Sequence, residues 1–204
     1  MSRKSERPAT RSHAVPAVMA WKAAPGTASR ARPHGSAECL GARLAAELLQ
    51  AGAAEVYATS RVPGAAAGAA ADPRVKTLTL DITDAASVRA AATAAPDVNV
   101  LVNNAGVLAF GGALDGDLES FDRDLRANYL GTLQVTRAFV PALERNAARR
   151  YRQRAHAHRP GPGPMAGYSA SKAAAHSMTQ ALRAELRGRG ITEMPPRASL
   201  RILR

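Results

Sequence analysis

Between residues 41 and 187, short apolar runs alternate with longer stretches of helical period, and this constrains the fold more than any other feature of the 204-residue chain. Gly41 to Gln50 (GARLAAELLQ) sets Leu44, Leu48 and Leu49 at helical spacing, with Ala51-Gly52 ending the helix. Glu55 to Ser60 (EVYATS) and Val75 to Leu80 (VKTLTL) predict strands, joined by an Ala/Gly-rich connection from Pro63 to Ala71. Ala85 to Ala94 reads as a helix with Asp84 as N-cap. Val98 to Val102 (VNVLV) predicts a third strand, ending in Asn103-Asn104-Ala105-Gly106. Leu118 to Arg145 and Ala166 to Arg187 predict two long helices. Helices in such alternation cover both faces of a sheet, so the class is α/β: a doubly wound parallel sheet in a single domain.

The pattern breaks in three places. A buried strand is needed between the two long helices, but the residues there are Arg149-Arg150-Tyr151-Arg152-Gln153-Arg154-Ala155-His156-Ala157-His158-Arg159. An unpaired buried guanidinium costs several kcal/mol, so this segment reads as unfit for a central strand. Ser29 to His34 (SRARPH) is polar where a first strand should feed the following turn, and Pro195-Pro196 stands where a sixth strand should continue. The sheet therefore reads as incomplete, its first, fifth and later strands disrupted or absent. Residues 1–34 form a disordered or aberrant segment, 35–192 the domain with 145–160 off-pattern, and 193–204 an aberrant tail. Out-of-frame reading of a GC-rich gene is a hypothesis that accounts for blocks so rich in Arg, Pro, Ala and His. Its test is the coding DNA, where failure to find a hydrophobic strand with a serine near residue 155 in another frame would count against it.

Net charge follows the same division. The whole chain carries +12, but residues 41–144 hold 8 basic and 12 acidic side chains. The excess of positive charge belongs to the three off-pattern blocks, and only Tyr151 offers a stacking ring within the Arg-rich one. That argues against a nucleic-acid partner. No apolar run approaches the ~20 residues of a membrane helix. The Ala14 to Trp21 stretch, broken by Pro16 and followed by Lys22, is a poor signal peptide. A single cysteine, Cys39, excludes an internal disulfide and a cysteine-rich metal site, and suits a reducing cytoplasm.

Tyr168 and Lys172 (YSASK) lie four apart on a predicted helix and project from one face. An ammonium beside a phenol favours the phenolate and lowers its pKa toward working pH, as a general acid/base requires. An ordinary amphipathic helix would show the same spacing. The amides and glycine of Asn103 to Gly106, at the carboxyl end of an apolar strand, suit the crevice where open α/β sheets bind dinucleotides. A plain strand-to-loop turn remains the alternative.

LVNNAGV, ANYLGT and GYSASKAA, in that order on the expected elements, resemble the short-chain dehydrogenase/reductase family over about residues 41 to 192. The resemblance implies a Rossmann-type fold and an oxidoreductase that moves a hydride between a nicotinamide cofactor and a small alcohol/carbonyl substrate. Tyr168 would exchange the substrate proton, Lys172 would hold the nicotinamide ribose, and Asn128 would support a proton relay through water. Asn103, Asn104, Ala105 and Gly106 would line the cofactor cleft, with Asp81 meeting the adenine. Arg61, just past the strand ending at Ser60, occupies the place of a 2′-phosphate partner and leans toward NADP(H) over NAD(H). A solvated loop arginine is the alternative. The family pairs through the helices at 118–145 and 166–187, which implies a homodimer or homotetramer.

Two departures bear on activity. In the phosphate-cradling turn Gly35 and Gly41 match, but Cys39 replaces the middle glycine and Glu38 adds negative charge. The family's catalytic serine is expected near Ala155, yet no Ser or Thr occurs between Arg137 and Gly167. Activity is expected to be impaired, and a catalytically silent fragment that at most binds a nucleotide is the alternative.

Overall fold

A computed structural model of the chain describes residues 13–15, 18–23, 37–50, 52–62, 72–146, 150–153 and 164–193. The elements in chain order are β1 (His13–Val15), β2 (Val18–Ala23), α1 (Ala37–Gln50), β3 (Ala53–Ser60), β4 (Val75–Thr79) and α2 (Ala85–Ala94). They continue with β5 (Val100–Asn103), β6 (Gly106–Leu108), α3 (Leu118–Leu125), a π-helical turn (Arg126–Gly131), α4 (Thr132–Arg145), β7 (Arg150–Gln153), α5 (Ala166–Gly188) and β8 (Thr192–Glu193).

Six strands form one sheet in the order β4-β3-β2-β5-β7-β8, and β1 pairs separately with β6. β3 is parallel to β4, and β7 is parallel to both β5 and β8. Period-two alternation splits the buried side chains of β3 and β5 between two layers. Val56, Ala58, Val100 and Val102 meet Ala45, Leu48 and Leu49 of α1 on one face. Tyr57 and Leu101 meet Val88 and Ala91 of α2, Val135, Phe139 and Leu143 of α4, and Leu182 and Leu186 of α5 on the other. Helices on both faces of a largely parallel sheet make the fold α/β and doubly wound, as expected. Each fully buried Val, Leu or Phe contributes about 1.5–3 kcal/mol to holding these layers together.

The first strand differs from expectation. The central position is filled by β2, within the 1–34 segment that reads as off-pattern, and β2 runs antiparallel to both neighbours. The strand carries the apolar run Val18-Met19-Ala20-Trp21, and the chain enters the sheet from the opposite end to that expected. Val18 pairs with Asn103 at the carboxyl edge of β5, and Ala23 pairs with Ala53 at the start of β3.

The fifth strand corrects the sequence reading more directly. Arg150–Gln153 does form a strand, seated between β5 and β8. The guanidinium penalty does not arise at Arg150, because the deeply buried position belongs to Tyr151, 1% exposed, while Arg150 is only half-buried. β8 follows as a strand of two residues beside β7.

The helix predicted over Leu118 to Arg145 is continuous but not uniform, since its middle six residues widen into a π-helical turn. Asp117 caps its start by accepting from the Glu119 and Ser120 N–H groups, as Asp84 does for α2 from Ala86 and Ser87.

Candidate active site

The parallel strands bring Arg61 after β3, Asp81 after β4 and Asn104 to Gly106 after β5 to one edge of the sheet. From β4 the chain crosses to the far side of β2, so β5 leaves the sheet at the switch point where such folds bind ligands. α1 ends at Gln50, just before β3 begins. Its 14 residues span about 21 Å, so its N-terminus lies toward that same edge.

α5 carries Tyr168 and Lys172 on one face, as predicted. The ammonium Nζ lies 5.5 Å from the centre of the phenol ring, and both residues are half-buried. Gly106 is what lets β6 approach them: a Cβ there would stand 2.8 Å from Asn128 Oδ1 and 3.3 Å from Lys172 Nζ. Any side chain would have to displace one of these polar groups.

Asn128 lies in the π-helical turn and is 1% exposed. Its Oδ1 accepts the Val107 N–H at 2.8 Å, and its Nδ2 donates to Val107 O and to Ser171 Oγ, both at 2.9 Å. Ser171 in turn donates to Tyr168 O at 2.7 Å. One amide thus links β6 to the helix that presents Tyr168 and Lys172. π-helical turns frequently mark functional sites, and here the irregularity contains the residue that makes this link.

The other predicted residues divide. Asn103 is 2% exposed and its Nδ2 donates to Thr136 Oγ1 at 2.8 Å, so its side chain is engaged with α4. Asn104 is buried and Ala105 half-buried at the same strand end. At the far end of the edge Arg61 is exposed, and Asp81 accepts the Thr83 hydroxyl at 2.6 Å and its N–H at 2.8 Å. Partial burial pushes the Asp81 carboxyl up, but the Thr83 hydrogen bonds and the Arg61 charge outweigh it and hold the group below its ordinary range. Gly35 lies outside the described residues. Gly41 sits inside α1, which begins at Ala37.

Sequence reasoning missed Asp124. It is fully buried at 0% exposure on α3, and its Oδ2 accepts the Ala109 N–H at 3.2 Å. Burial pushes this carboxyl above its ordinary range, against the Ala109 N–H and the positive charges of Arg123 and Lys172. The available signal was an acidic residue at helical spacing from Phe121 and Asn128, on the face that must be buried.

The sequence profile of the short chain dehydrogenase family matches residues 34–194, most of the chain and both halves of this site. The chain belongs to the short-chain dehydrogenase family. Among solved structures of the family, it is similar to a short chain dehydrogenase from Burkholderia cenocepacia J2315 in complex with NADP. Identity is 38% and the TM-score 0.67, over 76% of this chain and 65% of that one. Among curated relatives, 2-(S)-hydroxypropyl-CoM dehydrogenase 3 of Xanthobacter autotrophicus is 34% identical over 116 residues, 54% of this chain and 46% of that protein. Human 17-beta-hydroxysteroid dehydrogenase type 2 is 34% identical over 131 residues, 58% of this chain and 33% of that one. The chain thus spans about half or less of the length of these curated relatives. Among its described residues, no helix is long and apolar enough to cross a membrane, and no group of three His, Cys, Asp or Glu could hold a metal ion.

The residues of this short-chain dehydrogenase fit a nicotinamide dinucleotide at two places along the edge. At one, the backbone at Gly106 is bare beside Lys172 and Asn128. At the other, Arg61 and Asp81 form a polar pair past β3 and β4. Of the stretch 34–41 that would cradle the pyrophosphate, residues 37–41 form the first turn of α1, and residues 34–36 lie outside the described residues.

Proposed function

We propose that this chain descends from an NADP(H)-dependent oxidoreductase acting on a small alcohol/carbonyl substrate, and that its own turnover is impaired. The observation that carries the reading is the convergence of Tyr168, Lys172, Asn128 and Gly106 at the carboxyl edge of β5. The cofactor, when bound, supplies the hydride at nicotinamide C4. Tyr168 Oη gives its proton to the carbonyl oxygen in reduction and takes it back in oxidation. Lys172 holds a positive charge beside the phenol, which favours the phenolate and so makes the proton easier to release. Asn128 fixes β6 and α5 relative to one another, keeping these groups at working distance.

Arg61, exposed past the end of β3, favours NADP(H) over NAD(H), because a guanidinium can pair with a 2′-phosphate. The NADP named for the Burkholderia relative agrees with this choice. The exposed Leu118, Leu125 and Leu130 lie along the helix that would pair two copies in a homodimer or homotetramer. A lone cysteine suits a cytoplasmic protein.

Impairment follows from what is missing. No Ser or Thr lies between Arg137 and Gly167, so the developing oxyanion lacks a second hydroxyl donor beside Tyr168, a loss of about 10² to 10³ in rate. Ser171 does not replace it, since its hydroxyl is committed to Tyr168 O and to Asn128. The same observation supports a second reading, a catalytically silent member that binds a nucleotide weakly. One relative, at 34% identity over 116 residues, carries the name inactive 2-(S)-hydroxypropyl-CoM dehydrogenase 2.

Titration with NADPH, followed by nicotinamide fluorescence, tests the first step. Saturable binding that weakens in Arg61→Ala supports the NADP(H) reading, and no binding removes it. Turnover with a panel of carbonyls then separates the impaired enzyme from the silent one: slow turnover that vanishes in Tyr168→Phe selects the former.

A further inference from the structure

We infer that Asp124 is a positioning residue for the proton-handling pair, acting as a buried counter-charge of Lys172 while it holds the backbone at Ala109, just past β6. The inference rests on the reading above for its place in a reaction, but the coupling it asserts belongs to the chain alone.

The placement of Asp124 is the first argument. It lies on the face of α3 that packs against α5, between two points where those helices are locked together. One turn earlier Phe121 meets Gly167 so closely that a Cβ on the glycine would stand 2.7 Å from the ring. One turn later Asn128 hydrogen-bonds Ser171. Asp124 is therefore held opposite the turn of α5 that carries Tyr168, Ser171 and Lys172.

Its chemistry is the second. A position with 0% exposure ordinarily takes an apolar side chain, because a carboxyl loses its hydration there. This one recovers a single long hydrogen bond, from the Ala109 N–H to Oδ2, and leaves Oδ1 buried with no hydrogen-bond partner. A packing role explains neither the charge nor the orphan oxygen.

Two cations act on the carboxyl: Arg123 from its own helix and Lys172 from α5. Arg123 is exposed, and its guanidinium is bonded to Ser120 Oγ at 3.1 Å. Lys172 is half-buried, with its ammonium beside the bare backbone at Gly106. Arg123 is the stronger influence on the carboxyl, but Lys172 is the cation that shares its poorly solvated side and stands beside Tyr168, where charges interact more strongly than in water. A carboxylate there favours positive charge at Nζ, beside the phenol of Tyr168.

Carbon-13 NMR of the cofactor-free protein, labelled at Asp carboxyl and Lys Cε, reads the coupling in both directions. In Lys172→Gln the Asp124 titration is expected to move to higher pH, because a stabilising positive charge is gone. In Asp124→Asn the Lys172 titration should move to lower pH by a matching amount, since coupling between two sites is reciprocal. The asparagine retains an acceptor for the Ala109 N–H. Should it nonetheless prevent folding, Lys172→Gln alone decides the matter. If either folded variant leaves the other group's titration unmoved, the inference is overturned, whatever happens to thermal stability. A parallel NADPH titration keeps the two ideas apart. Coupling without NADPH binding removes the nicotinamide reading and leaves this one, and binding without coupling does the reverse.

Discussion

The Asn128 side chain and the Val107 backbone exchange two hydrogen bonds: the Val107 N–H donates to Oδ1 at 2.8 Å and Nδ2 donates to Val107 O at 2.9 Å. The amide thereby behaves as one more strand residue along β6, reaching it from inside a helix. Replacement by alanine would leave both backbone groups without this partner in a part-buried setting. Asn128→Ala is expected to destabilise the fold by about 2–4 kcal/mol, at roughly 1–2 kcal/mol for each lost bond. Urea unfolding measures it, and a loss near zero would mean that water satisfies β6 equally well.

Gly106 sits where that exchange, the lysine and the strand end meet, so its missing Cβ has an assignable effect. In Gly106→Ala the methyl would contact Asn128 Oδ1, which is pinned by Val107, and Lys172 Nζ, which can swing away. Displacement of the lysine and the asparagine should together weaken NADPH binding about tenfold or more, equivalent to ~1.4 kcal/mol. Fold stability should fall by about 1–3 kcal/mol, the usual cost of overpacking. Unchanged NADPH affinity in a folded Gly106→Ala protein would show that the cleft does not approach this glycine.

Much of this was legible in the sequence because period and position act locally. The α2 boundaries and its Asp84 cap, the β3 and β4 runs, and the Tyr168–Lys172 pair each follow from spacing within one element. What the sequence hid depends on partners distant along the chain. Asp124 looks like one more surface charge of the FDRDLR segment until α5 covers it. The bond from Asn103 to Thr136, 33 residues away, is likewise invisible to local spacing. β2 reads as a broken apolar stretch because nothing local says that a reversed strand will fill the middle of a parallel sheet. The RYRQ strand was obscured by its arginines, although one aromatic residue at the buried position was enough for the β5 edge to accept it.

Tyr57 sets a stability limit at high pH. Its hydroxyl donates to Asp97 Oδ1 at 2.8 Å. Burial foremost, then hydrogen bonding to the Glu55 and Asp97 carboxylates and their charges, pushes the phenol far above its ordinary range. The unfolded chain releases this proton near pH ~10, while the folded chain retains it. The folded state therefore binds more protons above that point, and stability falls as pH rises. Denaturant midpoints should decline from about pH 10 upward, with a shallower decline in Tyr57→Phe. Parallel declines in the two proteins would assign the alkaline loss to other groups.

Tyr151 offers the most direct test of whether the arginine-rich segment belongs to the sheet. It is among the largest side chains that are fully buried, and it packs in the layer formed by Leu101, Phe139, Leu143 and Ile191. Its hydroxyl lies 3.4 Å from Thr136 Oγ1 and 3.5 Å from Asn103 Nδ2, so the ring closes over the polar group at the end of β5. Truncation opens a cavity of nearly a whole aromatic side chain. Tyr151→Ala should cost about 3–5 kcal/mol, as aromatic-to-alanine changes do in well-packed cores. Tyr151→Phe, which keeps the volume and loses two long hydrogen bonds, should cost about 1 kcal/mol or less. If thermal unfolding shows Tyr151→Ala to be as stable as the parent chain, β7 contributes nothing to the core, and the sheet must be held by β2 to β5 alone.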